Sequence, residues 1–213
     1  VLSKVTQDSV TNEAFPYLTA KFITINGVRV WAQRVSYVGE MGWELYVPNN
    51  RALMVWDILS AAGKGFGMEV GGYKVLDSLR LEKGYRYYTT DVTPLETPFE
   101  CGLGFCVHFD KGDFIGKDAL LEKKKNGFTT KLCTLVLDGE KFTQIYGGEA
   151  IYHEGKVITR VRSGGYGYTL NKNILYAYLP TELSKVGTHV EVELIEGKYI
   201  AEVTSTVLYD PKG

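Results

Sequence analysis

Tyr37 and Glu44 lie seven residues apart in the segment Ser36–Val47, SYVGEMGWELYV. A ring and a carboxylate at that spacing can grip a ligand if the strands flanking Val38–Gly42 pair so that the two residues face each other. Residues directly opposite in a sheet project from the same face. Trp43, Leu45 and Val47 then project from the other face and pack on a core. The same alternation also describes an ordinary half-buried strand with Glu44 turned to solvent, and periodicity alone favours that plainer reading.

Arg80 in Leu76–Gly84, LDSLRLEKG, is the second candidate. Asp77 precedes it by one helical turn, so an i,i+3 ion pair accounts for it. An exposed pair contributes at most about 1 kcal/mol, however, and does not require arginine over lysine. The planar guanidinium suits bidentate capture of a carboxylate, and both readings stay open. The next segment, GYRYYTTDVTPLETPFECGLGF, brings Tyr85, Tyr87, Tyr88 and Asp91 close together. An irregular stretch of that length either binds something or fills a seam between two units. Tyr166 and Tyr168 in SGGYGYT carry the same two readings.

Other chemistries lack their residues. There is no GxGxxG followed by an acid, no P-loop, no GxSxG and no kinase signature. The glycines of GKGFGMEVGG fall between helical patterns instead of after a strand, which argues against a phosphate loop. Cys101, Cys106 and Cys133 are odd in number and without C-x-x-C spacing, and His108, His153 and His189 are isolated. Neither a disulfide framework nor a metal site is expected. A reducing compartment follows, cytoplasmic or, in a eukaryote, the mitochondrial matrix. A net charge of −1 over 213 residues carries no nucleic-acid footprint. Lys123–Lys125 reads as a solvated helix end. No run approaches the roughly 18–20 apolar residues of a membrane span.

The elements that would position these residues are legible as patterns. LTAKFITI and RVWAQRVSY read as strands around the turn Asn26-Gly27. Asn49 or Asn50 caps a helix over Arg51–Ala62 that Gly63 stops. A second helix runs near Gly72–Lys83, with Leu76 and Leu79 facing the core and Gly84 at its C-cap. FCVHF suggests a short strand, and KDALLEKKK a third helix. From Lys131 the texture changes to short alternating runs, LCTLVL, EAIYH, KVITRV, ILYAYL, HVEVEL and YIAEVTSTVLY, separated by turn signals. Such spacing without helices predicts a small antiparallel barrel or sandwich. The fold class is therefore α+β, with an α+β part over residues 1–127 and an all-β part over 128–213.

Four motifs occur in order: SYVGEMGWELYV, VLDSLRLEKGYRYYTTDVTPLETPFECGLGF, DFIGKDALL and RVRSGGYGYTLNKNILYAYLP. Together they resemble the folate-binding aminomethyltransferase family, which includes the T protein of glycine cleavage and the C-terminal region of dimethylglycine and sarcosine dehydrogenases. The wording WELY, TPLETPFECGLGF and the VLYDPKG ending is more similar to the flavin-dehydrogenase branch. The resemblance implies an antiparallel sheet with helices, the C-terminal half of the folate-binding domain, followed by the terminal barrel.

By position, the resemblance places the family's folate-pocket tyrosine and glutamate on Tyr37 and Glu44, its arginine on Arg80 and a further tyrosine on Tyr88, with Asp91 following. A desolvated carboxylate can accept the paired amine and ring N–H of a pterin edge, and flat rings suit aromatic faces. Tetrahydrofolate is the implied ligand and a small amine-derived one-carbon unit the implied substrate. The implied reaction gives 5,10-methylenetetrahydrofolate after oxidative demethylation of an N-methyl amino acid. The alternatives are a glycine cleavage T protein and a non-catalytic folate-binding or regulatory module. The family's catalytic aspartate is expected upstream of Val1, as is any FAD domain. The expectation is thus a C-terminal part of a longer enzyme, inactive by itself. Its partners would be its own N-terminal region or a second copy.

Overall fold

The computed structural model describes residues 1–212. The chain divides into two compact units, Val1–Tyr73 and Lys74–Gly213. The change of texture expected at residues 127 and 128 marks where the barrel strands begin. By compactness, the helices and the irregular segment just before that point group with the barrel.

In the first unit β1 (Ala20–Ile25), β2 (Val28–Gln33) and β3 (Glu44–Tyr46) form an antiparallel sheet in that order. Asn26 and Gly27 both have positive φ (45° and 78°), as a two-residue type I′ turn requires. Ile23, Ile25, Val28, Val30 and Ala32 are buried on one face, against Phe15 and Val55. Val55 belongs to α1 (Ala52–Gly63). Trp43, Leu45 and Val47 pack on the same cluster, as the alternation of WELYV predicts. Neither Asn49 nor Asn50 caps α1 with its side chain. A 3-10 turn over Asn49–Arg51 leads into the helix through backbone bonds instead.

The second unit holds α2 (Lys74–Glu82), α3 (Lys117–Asn126) and six strands: β4 (Thr130–Leu137), β5 (Ala150–His153), β6 (Lys156–Gly167), β7 (Lys172–Pro180), β8 (His189–Leu194) and β9 (Gly197–Thr204). They close into an antiparallel barrel in the order β4-β7-β6-β5-β8-β9. Leu135, Ile151, Leu175, Val192 and Ala201 are among the residues filling it, all fully buried. In β8, Val190, Val192 and Leu194 point inward while His189 and Glu193 are exposed, following the alternation of HVEVEL.

β7 departs from simple alternation because both its faces are covered. Leu175, Ala177 and Leu179 fill the barrel. Ile174, Tyr176 and Tyr178 face outward into a second cluster with Leu81, Cys101 and Leu132. ILYAYL is accordingly apolar throughout, the pattern of a strand buried on both sides.

Two local expectations are corrected. Leu76 is exposed, with Tyr73 and Val75, because α2 buries its C-terminal turn, Arg80–Glu82. FCVHF forms no strand: Gly104–Cys106 is a 3-10 turn and Phe105 is exposed. The closed barrel offers such a segment no edge to pair with. Phe109 instead joins Phe99 and Phe114 in a row of rings with centroids 6.3 Å apart at each step.

The TPLETPFE segment is ordered by its own side chains. Glu96 takes the amide and hydroxyl of Thr93, and Glu100 takes those of Thr97. Each glutamate then binds a cation, Glu96 with Arg162 and Glu100 with Lys123. No helix among the described residues is long and apolar enough to cross a membrane.

Candidate functional site

Glu44 opens β3 opposite Gln33, not opposite Tyr37. The expected Tyr37–Glu44 pairing is not formed because β2 ends at Gln33. There the Ser36 hydroxyl accepts the amides of Val38 (3.2 Å) and Glu40 (3.1 Å) and turns the chain away. Tyr37 is half-buried in the bend that follows, between the two strands.

Glu44 itself is exposed on the outer face of the sheet, where the Tyr46 hydroxyl donates to its carboxylate at 2.9 Å. That hydrogen bond, and then the carboxylate charge, raise the Tyr46 phenol above its ordinary pKa. The same face carries a row of rings across three strands, Phe22 opposite Trp31 and Trp31 opposite Tyr46. Phe22 and Trp31 meet edge to face at 4.8 Å. The Arg29 guanidinium lies over Phe22 at 3.7 Å. An aromatic strip is thus flanked by a cation on one side and by Gln33 and Glu44 on the other. A flat ligand with hydrogen-bond donors on one edge fits such a face by stacking and by donation to Glu44.

In the second unit Arg80 sits at the C-terminal turn of α2 and is 2% exposed. Its Nε donates to Asp77 at 3.1 Å, so the i,i+3 pair read from the sequence is present. Nη1 donates to Asp91 at 2.6 Å and to the Tyr85 carbonyl at 3.1 Å, while Nη2 reaches the Ser163 hydroxyl of β6 at 3.1 Å. The rings of Tyr176 and Tyr87 lie 5.6 Å and 6.0 Å from the guanidinium carbon.

Asp91 is fully buried. One carboxylate oxygen accepts from Arg80 and from the Tyr87 amide at 2.8 Å, and the other from Ser163. Its carbonyl accepts from the Tyr178 hydroxyl at 2.9 Å. Burial, reinforced by the Glu96 charge, pushes the Tyr178 phenol far up. Around this network the chain turns sharply from Tyr87 to Val92, leaving Tyr88 64% exposed.

The helix end is closed by Gly84 at φ +74. Its amide bonds the Leu81 carbonyl, and the Tyr85 amide bonds that of Arg80, a Schellman pair. The sequence marks Arg80, Tyr88 and Asp91 but not their supports, Ser163 and Tyr178. The signal for Tyr178 is present, since tyrosines at alternate positions of ILYAYL predict a covered face with hydroxyls that need acceptors. Ser163 carries no such mark. Among the described residues no three His, Cys, Asp or Glu side chains are placed to hold a metal ion.

Comparison with known proteins gives two family matches in order, which part near the start of the barrel strands and not at Tyr73. Residues 1–111 match the GCVT N-terminal domain model and residues 130–210 the glycine cleavage T-protein C-terminal barrel domain model. The chain is 36% identical to human mitochondrial dimethylglycine dehydrogenase over 95% of its length, which is 23% of that protein. It is also 36% identical to an aminomethyltransferase of Caldanaerobacter subterraneus, covering 90% of this chain and 50% of that one. The crystal structure of glycine cleavage system aminomethyltransferase T from Bartonella henselae superposes with a TM-score of 0.77 at 28% identity, over 85% of this chain and 50% of that chain. The chain therefore spans between about a quarter and a half of the length of these relatives. With both halves matched in order and the barrel closed as the fold requires, the chain belongs to the glycine cleavage T-protein family.

Proposed function

We propose that this chain is the tetrahydrofolate-binding part of a one-carbon transfer enzyme of the dimethylglycine and sarcosine dehydrogenase type. The observation that carries the reading is the exposed Glu44 carboxylate, held by Tyr46 beside the Phe22–Trp31–Tyr46 strip. That set fits a reduced pterin: two adjacent N–H donors to one carboxylate, and ring faces for the heterocycle. The family resemblance gives Tyr37 in the first unit, and Tyr88 and Arg80 in the second, as further folate positions. When bound, tetrahydrofolate would supply the nucleophilic nitrogens for a one-carbon unit already oxidised to the formaldehyde level, the N-methyl amino acid having passed two electrons to a flavin outside this chain, and the product would be 5,10-methylenetetrahydrofolate.

The residues of this chain bind and orient. No residue here is assigned to proton transfer, and none to FAD. A second reading, an aminomethyltransferase in the strict sense, is favoured by the superposition on aminomethyltransferase T.

The test is a titration with tetrahydrofolate, read by the fluorescence of Trp31, Trp43 and Trp56. The chain binds saturably, and Glu44→Gln weakens binding about tenfold or more, the weight of a charge-assisted hydrogen-bond pair. Equal affinity of the two proteins would remove Glu44 from the pocket and the reading with it.

A further inference from the structure

We infer that Asn126 is a site of spontaneous covalent modification: the Asn126-Gly127 step deamidates through a cyclic imide, while Asn26-Gly27 is protected from the same reaction by its turn. These are the Asn-Gly steps of the sequence, and all four residues are exposed.

In the reaction the backbone nitrogen of Gly127 gives up its proton and attacks the side-chain amide carbon of Asn126. A C–N bond forms, the bond to the side-chain nitrogen breaks, and that nitrogen leaves as ammonia with a proton. Water then opens the imide at either carbonyl, giving aspartate or isoaspartate. No electrons are exchanged, and water is the co-reactant. Ring closure requires rotation about ψ of the asparagine, which swings the peptide plane between the two residues until its nitrogen lies beside the side chain.

At residue 126 that swing meets little resistance. Asn126 is the last residue of α3, and its carbonyl is one of those that a helix end leaves without an intrahelical partner. Among the described residues, no backbone hydrogen bond reaches the Asn126 carbonyl or leaves the Gly127 amide. Gly127 has φ +77 with open space where a Cβ would stand, so nothing crowds the attacking nitrogen. The chain is fastened again only beyond it, where Thr181 bonds the carbonyls of Phe128 and Thr129. No residue of α3 is buried, so its last turn frays at small cost.

At residue 26 the same swing is blocked. Asn26 and Gly27, at φ 45° and 78°, form the type I′ turn between β1 and β2. Turning over their shared peptide plane would make a type II′ turn, which demands glycine at its first central position. Opening the hairpin instead would part Ile25 from Val28, which pair in the ladder and are both buried in the first unit's core. The motif is the same at both places, and the backbone around it separates them.

The modification has a chemical reader. Isoaspartate at residue 126 leaves a free α-carboxylate beside the chain, the group that isoaspartyl carboxyl methyltransferases methylate. Either product also sets a negative charge one helical turn from Lys123, the partner of Glu100, at a helix end whose dipole disfavours it.

The test ages the chain at physiological temperature and mildly alkaline pH, with and without urea, and follows both Asn-Gly peptides by mass spectrometry after proteolysis. In the native chain the Asn126 peptide converts at least about tenfold faster than the Asn26 peptide, because a frayed helix end opens far more often than a core hairpin. In urea the Asn26 peptide catches up. Methyl transfer to the aged native chain by an isoaspartyl methyltransferase is mostly lost in Asn126→Gln, a substitution at an exposed position. Equal native rates or a faster Asn26 peptide would overturn the assignment, as would methyl transfer that Asn126→Gln leaves unchanged.

Discussion

Glu82 and Gly167 approach so closely that a Cβ built on the glycine would lie 2.7 Å from the glutamate Oε1. The reason is the work of that carboxylate. Buried at the end of α2, it accepts the amides of Thr169 (2.8 Å) and Leu170 (3.1 Å) and so caps the hairpin between β6 and β7. Gly167→Ala is expected to cost about 1–3 kcal/mol, the range of overpacking, in a urea melt. Glu82→Gln should cost less, about 1 kcal/mol, because both amides bond the same oxygen and a glutamine carbonyl can still accept them, with only the charge assistance lost.

The Arg80–Asp91 pair is buried on both sides, with side chains 3% and 0% exposed. Removing one partner strands the other charge, so Arg80→Met or Asp91→Leu alone should destabilise by about 3–5 kcal/mol. The double variant Arg80→Met with Asp91→Leu should lose clearly less than the sum of the single losses. Denaturation midpoints of the four proteins in that cycle provide the measurement, and additive losses would mean that the two charges do not interact.

Glu100 titrates in the acid limb of stability. Burial pushes its carboxyl up, but the Thr97 amide and hydroxyl and the Lys123 charge outweigh that, and the net shift is downward. A carboxyl lowered by folding stabilises above its unfolded pKa and loses that contribution as pH falls through the folded value. Glu100→Gln should therefore flatten the fall in stability below about pH 4.5, with little change in shape near neutrality. Melting temperatures across the acid range read this directly.

The cysteines separate by environment. Burial raises the Cys101 thiol and pushes Cys133 up to about 11, whereas Cys106 is exposed. Iodoacetamide near neutral pH should label Cys106 alone in the native protein and all three thiols in denaturant. Because the folded Cys133 value lies above the unfolded one, its contribution is present below the unfolded pKa and lost as pH rises through about 11. Cys133→Ala should remove that part of the alkaline destabilisation.

The barrel was legible residue by residue because its strands carry period-two patterns cut by glycine turns. HVEVEL coincides with β8, and LCTLVL covers all but the first two residues of β4. The outer-face position of Glu44 was legible for the same reason. Its partner was not: register across the loop at residues 34–43 is set by the Ser36 turn, which leaves no periodic trace. Arg80 was visible as an arginine of unusual surroundings, and its ion pair with Asp77 followed from spacing. Its burial was hidden, since that depends on Ser163, eighty-three residues away in sequence. Leu76 misled because an apolar residue at helical spacing faces the core only where the helix touches it, and α2 touches at its last turn.

The segment after β9 fastens the end of α2. The amides of Leu208 and Tyr209 bond the Glu82 carbonyl, Lys83 pairs with Asp210, and β9 pairs with β4 to close the barrel. Seen from the ribosome, the two units then mature on different schedules. The hairpin sheet of the first unit has all its partners once its own residues have emerged. The second cannot close its barrel or cover Lys83 until β9 and Asp210 have emerged, so its first helix waits through the synthesis of six strands with its apolar flank unpaired. A stop near residue 204 would leave that helix permanently unfinished.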